Sequence, residues 1–126
     1  MPHRIEVGMK PGSTDPAGLD VKHRIADDLG IAVGDVRVVD VYTVNAELTH
    51  DELERVRTEL FTDPVIQVST LDQSLLTGYD YVIEVGFRPG VTDNVGKSST
   101  EGVVDTLGRP LSAGEGIFKS TLYAIS

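Results

Sequence analysis

The sequence predicts an α+β fold. Strand-like alternation and helix-like four-residue spacing take turns along the chain, and a proline, a glycine or a capping residue marks each change of period. The first such run is also written twice. Ile5-Glu-Val-Gly-Met-Lys-Pro-Gly-Ser-Thr-Asp15 returns 78 residues later as Ile83-Glu-Val-Gly-Phe-Arg-Pro-Gly-Val-Thr-Asp93. The spacing holds without a gap through Gly18/Gly96, Asp27/Asp105, Leu29/Leu107 and Gly30/Gly108. A fixed offset carrying the same glycines, proline and acids reads as an internal duplication of one α+β unit.

From Arg4 to Lys10, Ile5, Val7 and Met9 alternate with Arg4, Glu6, Gly8 and Lys10, the pattern of a half-buried strand. Pro11-Gly12 breaks it. Asp15-Pro16 then supplies an N-cap and a proline at the first helical position, where its missing N–H costs nothing. Val21, Ile25 and Leu29 make one apolar helix stripe, and Gly30 stands where a helix ends in a left-handed residue. Val36 to Val44 is dense in β-branched residues, but its alternation slips at Val39-Asp40, which predicts a bulge or bend there.

The clearest helix start is Leu48-Thr-His-Asp-Glu-Leu53. Thr49 and Glu52 have capping-box spacing and Leu48 with Leu53 has staple spacing. Leu53, Val56, Leu60 and Phe61 form its apolar face, Asp63-Pro64 ends it, and Val65 to Val68 reads as a short strand. With Val36 to Val44 read as one strand or as two short ones about the slip, the first copy is β-α-β(β)-α-β, the order of a ferredoxin-like α/β sandwich.

Residues 69–80 are polar and without period, a connector. The second copy restarts with Tyr81, Ile83, Val85 and Phe87 on one strand face and Glu84, Gly86 and Arg88 on the other. A helix runs from the N-cap Asp93 to Leu107-Gly108, weakened by Gly96, Gly102 and Ser98-Ser99-Thr100, and Phe118 to Ile125 forms the closing strand, with Tyr123 standing in for Tyr42. No counterpart of the Thr49–Phe61 helix or of its following strand appears. The chain therefore divides into a first unit (1–68), a connector (69–80) and a second, truncated unit (81–126) that shares a core with the first. The uncovered sheet face predicts a piece of a longer protein.

Composition narrows the function. A net charge of −9 over 126 residues speaks against nucleic acid, whose phosphates need a basic face. The apolar runs are too short for a membrane span, and no signal peptide opens the chain. The absence of cysteine removes disulfides and thiol nucleophiles and points to a cytoplasmic, metal-free module. His3, His23 and His50 form no spaced ligand pair.

Gly90-Val-Thr-Asp-Asn-Val-Gly96-Lys97-Ser98 follows a strand and opens a helix, the setting of a phosphate-binding P-loop. Five residues, rather than four, separate its first glycine from Gly96-Lys97. An exposed helix start beside Lys97 could at most attract an anion. Asp27-Asp28, Asp51-Glu52-Glu54 and Glu101/Asp105 fall on helix surfaces and caps, and Ser98-Ser99-Thr100 has no histidine nearby in sequence. No catalytic apparatus is visible. Glycines repeated on a strand face, Gly8 and Gly86, suggest either close approach by another backbone or partner surface or twist-relieving positions at a sheet edge. Gly8, Lys10, Gly86, Arg88 and Lys97 are accordingly the candidates for partner docking.

Lys10-Pro11-Gly12, Asp15-Pro16-Ala17-Gly18, Leu29-Gly30, Val36-Arg37 and the Thr49–Phe61 helix before Asp63-Pro64-Val65 resemble PurS. PurS is the small subunit of phosphoribosylformylglycinamidine synthase. The second half, Arg88-Pro89-Gly90 through Lys97-Ser98 to Tyr123, resembles the PurS-like N-terminal domain of the single-chain PurL form, in which two such units are fused. The resemblance implies a non-catalytic part of an ATP-dependent glutamine amidotransferase ligase of purine biosynthesis. That part bridges the synthetase and glutaminase domains or subunits. No cofactor is implied in this chain; ATP and magnesium are expected in the parent enzyme, and the isolated chain is a candidate homodimer. The second copy departs from the pattern in lacking its latter half and the proline after its N-cap. The other reading is an ACT-like regulatory module, in which paired units bind a small molecule at their interface.

Overall fold

The computed structural model describes residues 2–87 and 91–126. It is a mixed α/β structure around one five-stranded, antiparallel sheet, consistent with the ferredoxin-like expectation. The strands are β1 (His3–Met9), β2 (Val36–Asn45), β3 (Gln67–Leu71), β4 (Tyr81–Gly86) and β5 (Gly116–Ile125), in the spatial order β3-β1-β2-β5-β4. The helices are α1 (Pro16–Leu29), α2 (His50–Arg55) and α3 (Asn94–Leu107).

The local signals land where expected. Asp15 caps α1, with Pro16 after it and Gly30 left-handed at φ 65°. Asp93 and Gly108, the latter at φ 69°, do the same for α3. Both bonds of the capping box form: Glu52 N donates to Thr49 Oγ1 (3.1 Å) and Thr49 N donates to Glu52 Oε1 (3.0 Å).

Three expectations need correction. No bulge interrupts β2. Its register runs unbroken against β5 from Val36↔Ile125 to Asn45↔Gly116, and against β1 from Val44↔His3 to Asp40↔Val7. The alternation slips because both faces of this central strand are covered. Val44 joins Ile5, Val7, Leu53, Val56, Phe61, Val103 and Ile117 on one face, while Val39 and Val41 join Leu122 and Ala124 on the other.

The 49–61 helix does not stay α-helical. Beyond Arg55 it continues as a π-helical turn, Val56–Phe61, that sets Phe61 against Tyr42, the rings 4.2 Å apart and 19° from parallel. Finally, β3 starts later and runs further than its apolar residues suggest. The Asp63 carbonyl accepts from Gln67 N (2.8 Å) and its carboxylate from Val65 N (3.0 Å), so Val65 and Ile66 form a turn. Ser69 to Leu71 then pair with β1 inside the stretch expected as connector.

The two ends of the sheet are unlike. Near β1 the helix-side face is filled by α2, the π-helical turn and α3, with Val103 fully buried. Near β4 all six strand residues are exposed. Because β1 and β2 are antiparallel neighbours, α1 leaves and rejoins the same end of the sheet. Its apolar stripe is only half covered at Val21 and Ile25, and Leu29 is 67% exposed.

Candidate docking surface

Opposite the helices, β1 and β4 reach toward each other across the two strands between them. Arg4 donates through Nη2 to Glu84 Oε1 (2.6 Å) and through Nε to Glu6 Oε2 (2.7 Å); Ser120 Oγ completes Glu84 at 2.7 Å. The two strands between β1 and β4 would set them about 14 Å apart in a flat sheet, so the pair needs both long side chains reaching along the sheet face. The Arg4 hydrogen bond holds the Glu84 carboxyl below its ordinary pKa against the opposing effect of burial.

Residues 72–80 cross the same face. Leu75 N donates to Glu6 Oε1 (3.1 Å), and Leu75, Leu76 and Tyr79 pack on Val39, Val41, Leu122 and Ala124. A Cβ at Gly8 would lie 2.9 Å from Leu75 Cδ2. The close approach inferred for Gly8 is thus made by the chain's own Leu75, a contact that the polar composition of the connector hides.

Each long helix is seated by its cap. Asp15 Oδ1 accepts from Gly18 N (3.1 Å) and its Oδ2 from Val38 N (2.8 Å). Asp93 accepts in the same way from Gly96 N (2.7 Å) and Lys119 N (2.8 Å). One carboxylate therefore satisfies a helix N-terminus and fastens it to a strand. The stretch compared with a P-loop is occupied by this device. The Gly96 N–H is taken by Asp93, and a Cβ at Gly96 would sit 2.6 Å from Ile117 O, so the helix start backs onto β5 and leaves no phosphate cradle.

The docking candidates do not converge. Gly8 lies on β1 under Leu75, whereas Gly86 on β4 has room for a side chain, its nearest neighbour being Ser120 Cβ at 3.6 Å. Lys10 lines a hollow with Arg57, Thr62 and Ser69, and Lys97 is exposed on the first turn of α3. Arg88, with Pro89 and Gly90, lies outside the described residues. The acidic clusters stay on helix surfaces, where Glu52 meets Arg109 in a two-pronged pair (2.9 Å for each bond) and Glu54 meets Arg57. Arg109, with help from Thr49 N–H, pulls Glu52 down to a pKa of about 2. His3 bonds Asp72 at 2.7 Å, and among the described residues no three His, Cys, Asp or Glu are grouped to hold a metal ion. No helix among them is long and apolar enough to cross a membrane.

The family model of PurS, phosphoribosylformylglycinamidine (FGAM) synthase, matches residues 3–74, which carry β1, α1, β2, α2 and β3. The chain belongs to the PurS family. Searches of curated proteins and of solved structures gave no match. Membership ties the chain to FGAM synthase in purine biosynthesis, as one component among others, and favours that reading over the ACT-like one.

Within this PurS-family chain, β4 and β5 pair antiparallel beyond the matched region, as β1 and β2 do inside it. Ile5↔Tyr42, Glu6↔Val41 and Val7↔Asp40 pair β1 with β2; Ile83↔Tyr123, Glu84↔Leu122 and Val85↔Thr121 pair β4 with β5. The difference lies in what covers them. β1 has β3 on its free edge and Leu53, Val56 and Phe61 on its face. Tyr81 (69% exposed), Ile83 (52%) and Val85 (54%) present the equivalent face of β4 to solvent, extended by Phe87 and Val95.

Proposed function

We propose that the chain is a non-catalytic assembly domain of FGAM synthase. It would bridge the ATP-dependent synthetase and the glutaminase while ammonia passes from glutamine to formylglycinamide ribonucleotide. One observation carries the reading. The strand registers and helix caps of the PurS-matched half recur in the second half, which lacks the cover the first half has. That recurrence supports a tandem of PurS-like units of the PurL type, with 1–68 and 81–126 as the two units and 69–80 between them. The open half then offers a surface for the larger parts. ATP and magnesium belong to the synthetase in this reading, since the Gly96-Lys97-Ser98 stretch does not fit a phosphate.

Reconstitution tests it. The purified chain should neither hydrolyse ATP nor release ammonia from glutamine. Added to synthetase and glutaminase parts that lack this domain, it should restore FGAM formation and co-elute with them. Turnover by the chain alone, or full activity of the parts without it, would refute the proposal. So would saturable micromolar binding of an amino acid, which belongs to a regulatory module.

A further inference from the structure

We propose that the helix-side face of β4 is the seat of one amphipathic helix carried by another component of FGAM synthase, with an aromatic side chain of that helix anchored over Tyr123. The inference rests on the assembly role and the tandem reading above, and names what the open half receives. The covered half shows what such a seat needs. There α2 and the π-helical turn pack with Ile5 and Val7 of β1 and with Val103 and Leu107 of α3. The residues 78 positions from these are Ile83 and Val85 of β4 and Ile25 and Leu29 of α1. Ile83, Val85 and Leu29 are exposed and Ile25 is half-buried, so each position that the first helix covers has an open counterpart. The anchor also has a place. Phe61 stacks on Tyr42, which pairs with Ile5. Tyr123, paired with Ile83, instead lines a hollow of about 290 Å³ with Val85, Phe87, Val95 and Lys119, room for one aromatic side chain.

Two positions say how the occupant differs from the helix of the covered half. Leu60 lies against Gly102, whose added Cβ would meet Leu60 Cδ1 at 3.0 Å. The residue 78 positions before Gly102 is Arg24, exposed and paired with Asp20 at 3.3 Å. Glu52 meets Arg109, and 78 positions before Arg109 stands the exposed Ile31. Charge and apolar complementarity then give the occupant a carboxylate at the place of Leu60, to meet Arg24, and an apolar residue at the place of Glu52, to cover Ile31. The extent of the face suits a single helix. Tyr81, Ile83, Val85, Phe87, Leu29 and Ile31 leave roughly 650 Å² of mostly apolar surface open, more than a monomer usually exposes and close to the ~800 Å² per partner of a standard interface.

The probe is a fluorescent peptide copying residues 48–62 of this chain with Glu52→Leu and Leu60→Glu. Anisotropy against the whole chain should give a dissociation constant of about 10–100 μM, and the unaltered copy should bind about tenfold more weakly. Phe61→Ala in the peptide and Ile83→Asp in the chain should each weaken binding by about tenfold or more, while circular dichroism shows that Ile83→Asp remains folded. Arg24→Glu, on an exposed helix face, should reverse the choice, weakening the Leu60→Glu peptide and favouring a Leu60→Lys one. No binding at about 1 mM peptide, or affinity indifferent to both Ile83→Asp and Arg24→Glu, overturns the proposal. So does an Ile83 methyl already shielded by a second copy, seen as protection from a soluble relaxation agent before peptide is added. Reconstitution separates the seat from the assembly role. With the synthetase and glutaminase parts, the Ile83→Asp chain should fail to co-elute where the wild-type chain does. If it co-elutes and supports FGAM formation equally, the seat is wrong and the bridging role stands. If the wild-type chain itself fails, the bridging role falls and the occupant with it.

Discussion

Replacing Gly96 by alanine should destabilise the protein, although alanine is the better helix former. The added Cβ would stand 2.5 Å from Asp93 Oδ2, 2.7 Å from Asp93 Cγ and 2.6 Å from Ile117 O. The two obstacles are a strand carbonyl and a carboxylate already fixed by Gly96 N and Lys119 N, so neither yields as a flexible side-chain tip would. Displacing Asp93 forfeits a cap worth about 1 kcal/mol, and forcing α3 off β5 costs about 1–3 kcal/mol. The helix propensity of alanine returns about 1 kcal/mol. The net loss is about 1–3 kcal/mol, a fall in Tm of about 4–12 °C for a chain of this size.

Gly102→Ala, on the same helix, is the internal control. Its Cβ would meet only Leu60 Cδ1 at 3.0 Å and Cδ2 at 3.2 Å, the far end of a side chain that can turn away. That variant should melt at the wild-type temperature or a few degrees higher. Urea and thermal unfolding followed by circular dichroism read both. If Gly96→Ala is as stable as wild type, or Gly102→Ala falls as far, backbone proximity is not what seats α3.

Two further outcomes follow from contacts described above. Arg109→Ala should let Glu52 titrate upward from about 2 toward the usual glutamate value near 4.3, followed by NMR of its side-chain carboxyl. Because the folded pKa is depressed, the stabilisation from this carboxylate is present above the unfolded value and is lost as pH falls from about 4.5 to about 2, a window that should shrink in the variant. Val103→Ala, at a fully buried position, should cost about 2 kcal/mol and lower the urea midpoint by about 1 M, with secondary structure unchanged.

What the sequence made legible was local. A cap needs only the residues within one turn, so Asp15, Gly30, the Thr49–Glu52 box, Asp93 and Gly108 are readable and sit as read. Where the environment comes from distant parts of the chain, the pattern misleads. Val39-Asp40 looks like a bulge because the alternation rule assumes one wet face, and β2 has none. The Val21–Ile25–Leu29 stripe says which face of its helix is apolar, not what meets it, and Leu29 stays exposed. Arg4 and Glu84 are 80 residues apart, and only the strand order of the sheet makes them partners. Gly8 correctly signals close approach, but its neighbour Leu75 lies in a stretch without period.

The strap formed by residues 72–80 also limits how the molecule could be divided. A cut after β3 would strip Leu75, Leu76 and Tyr79 from Val39 and Val41 and remove β5 from the flank of β2, turning a central strand into a raw margin. Neither fragment would keep a sealed interior, so cleavage in this strap should unravel both sides of the sheet rather than release two stable pieces.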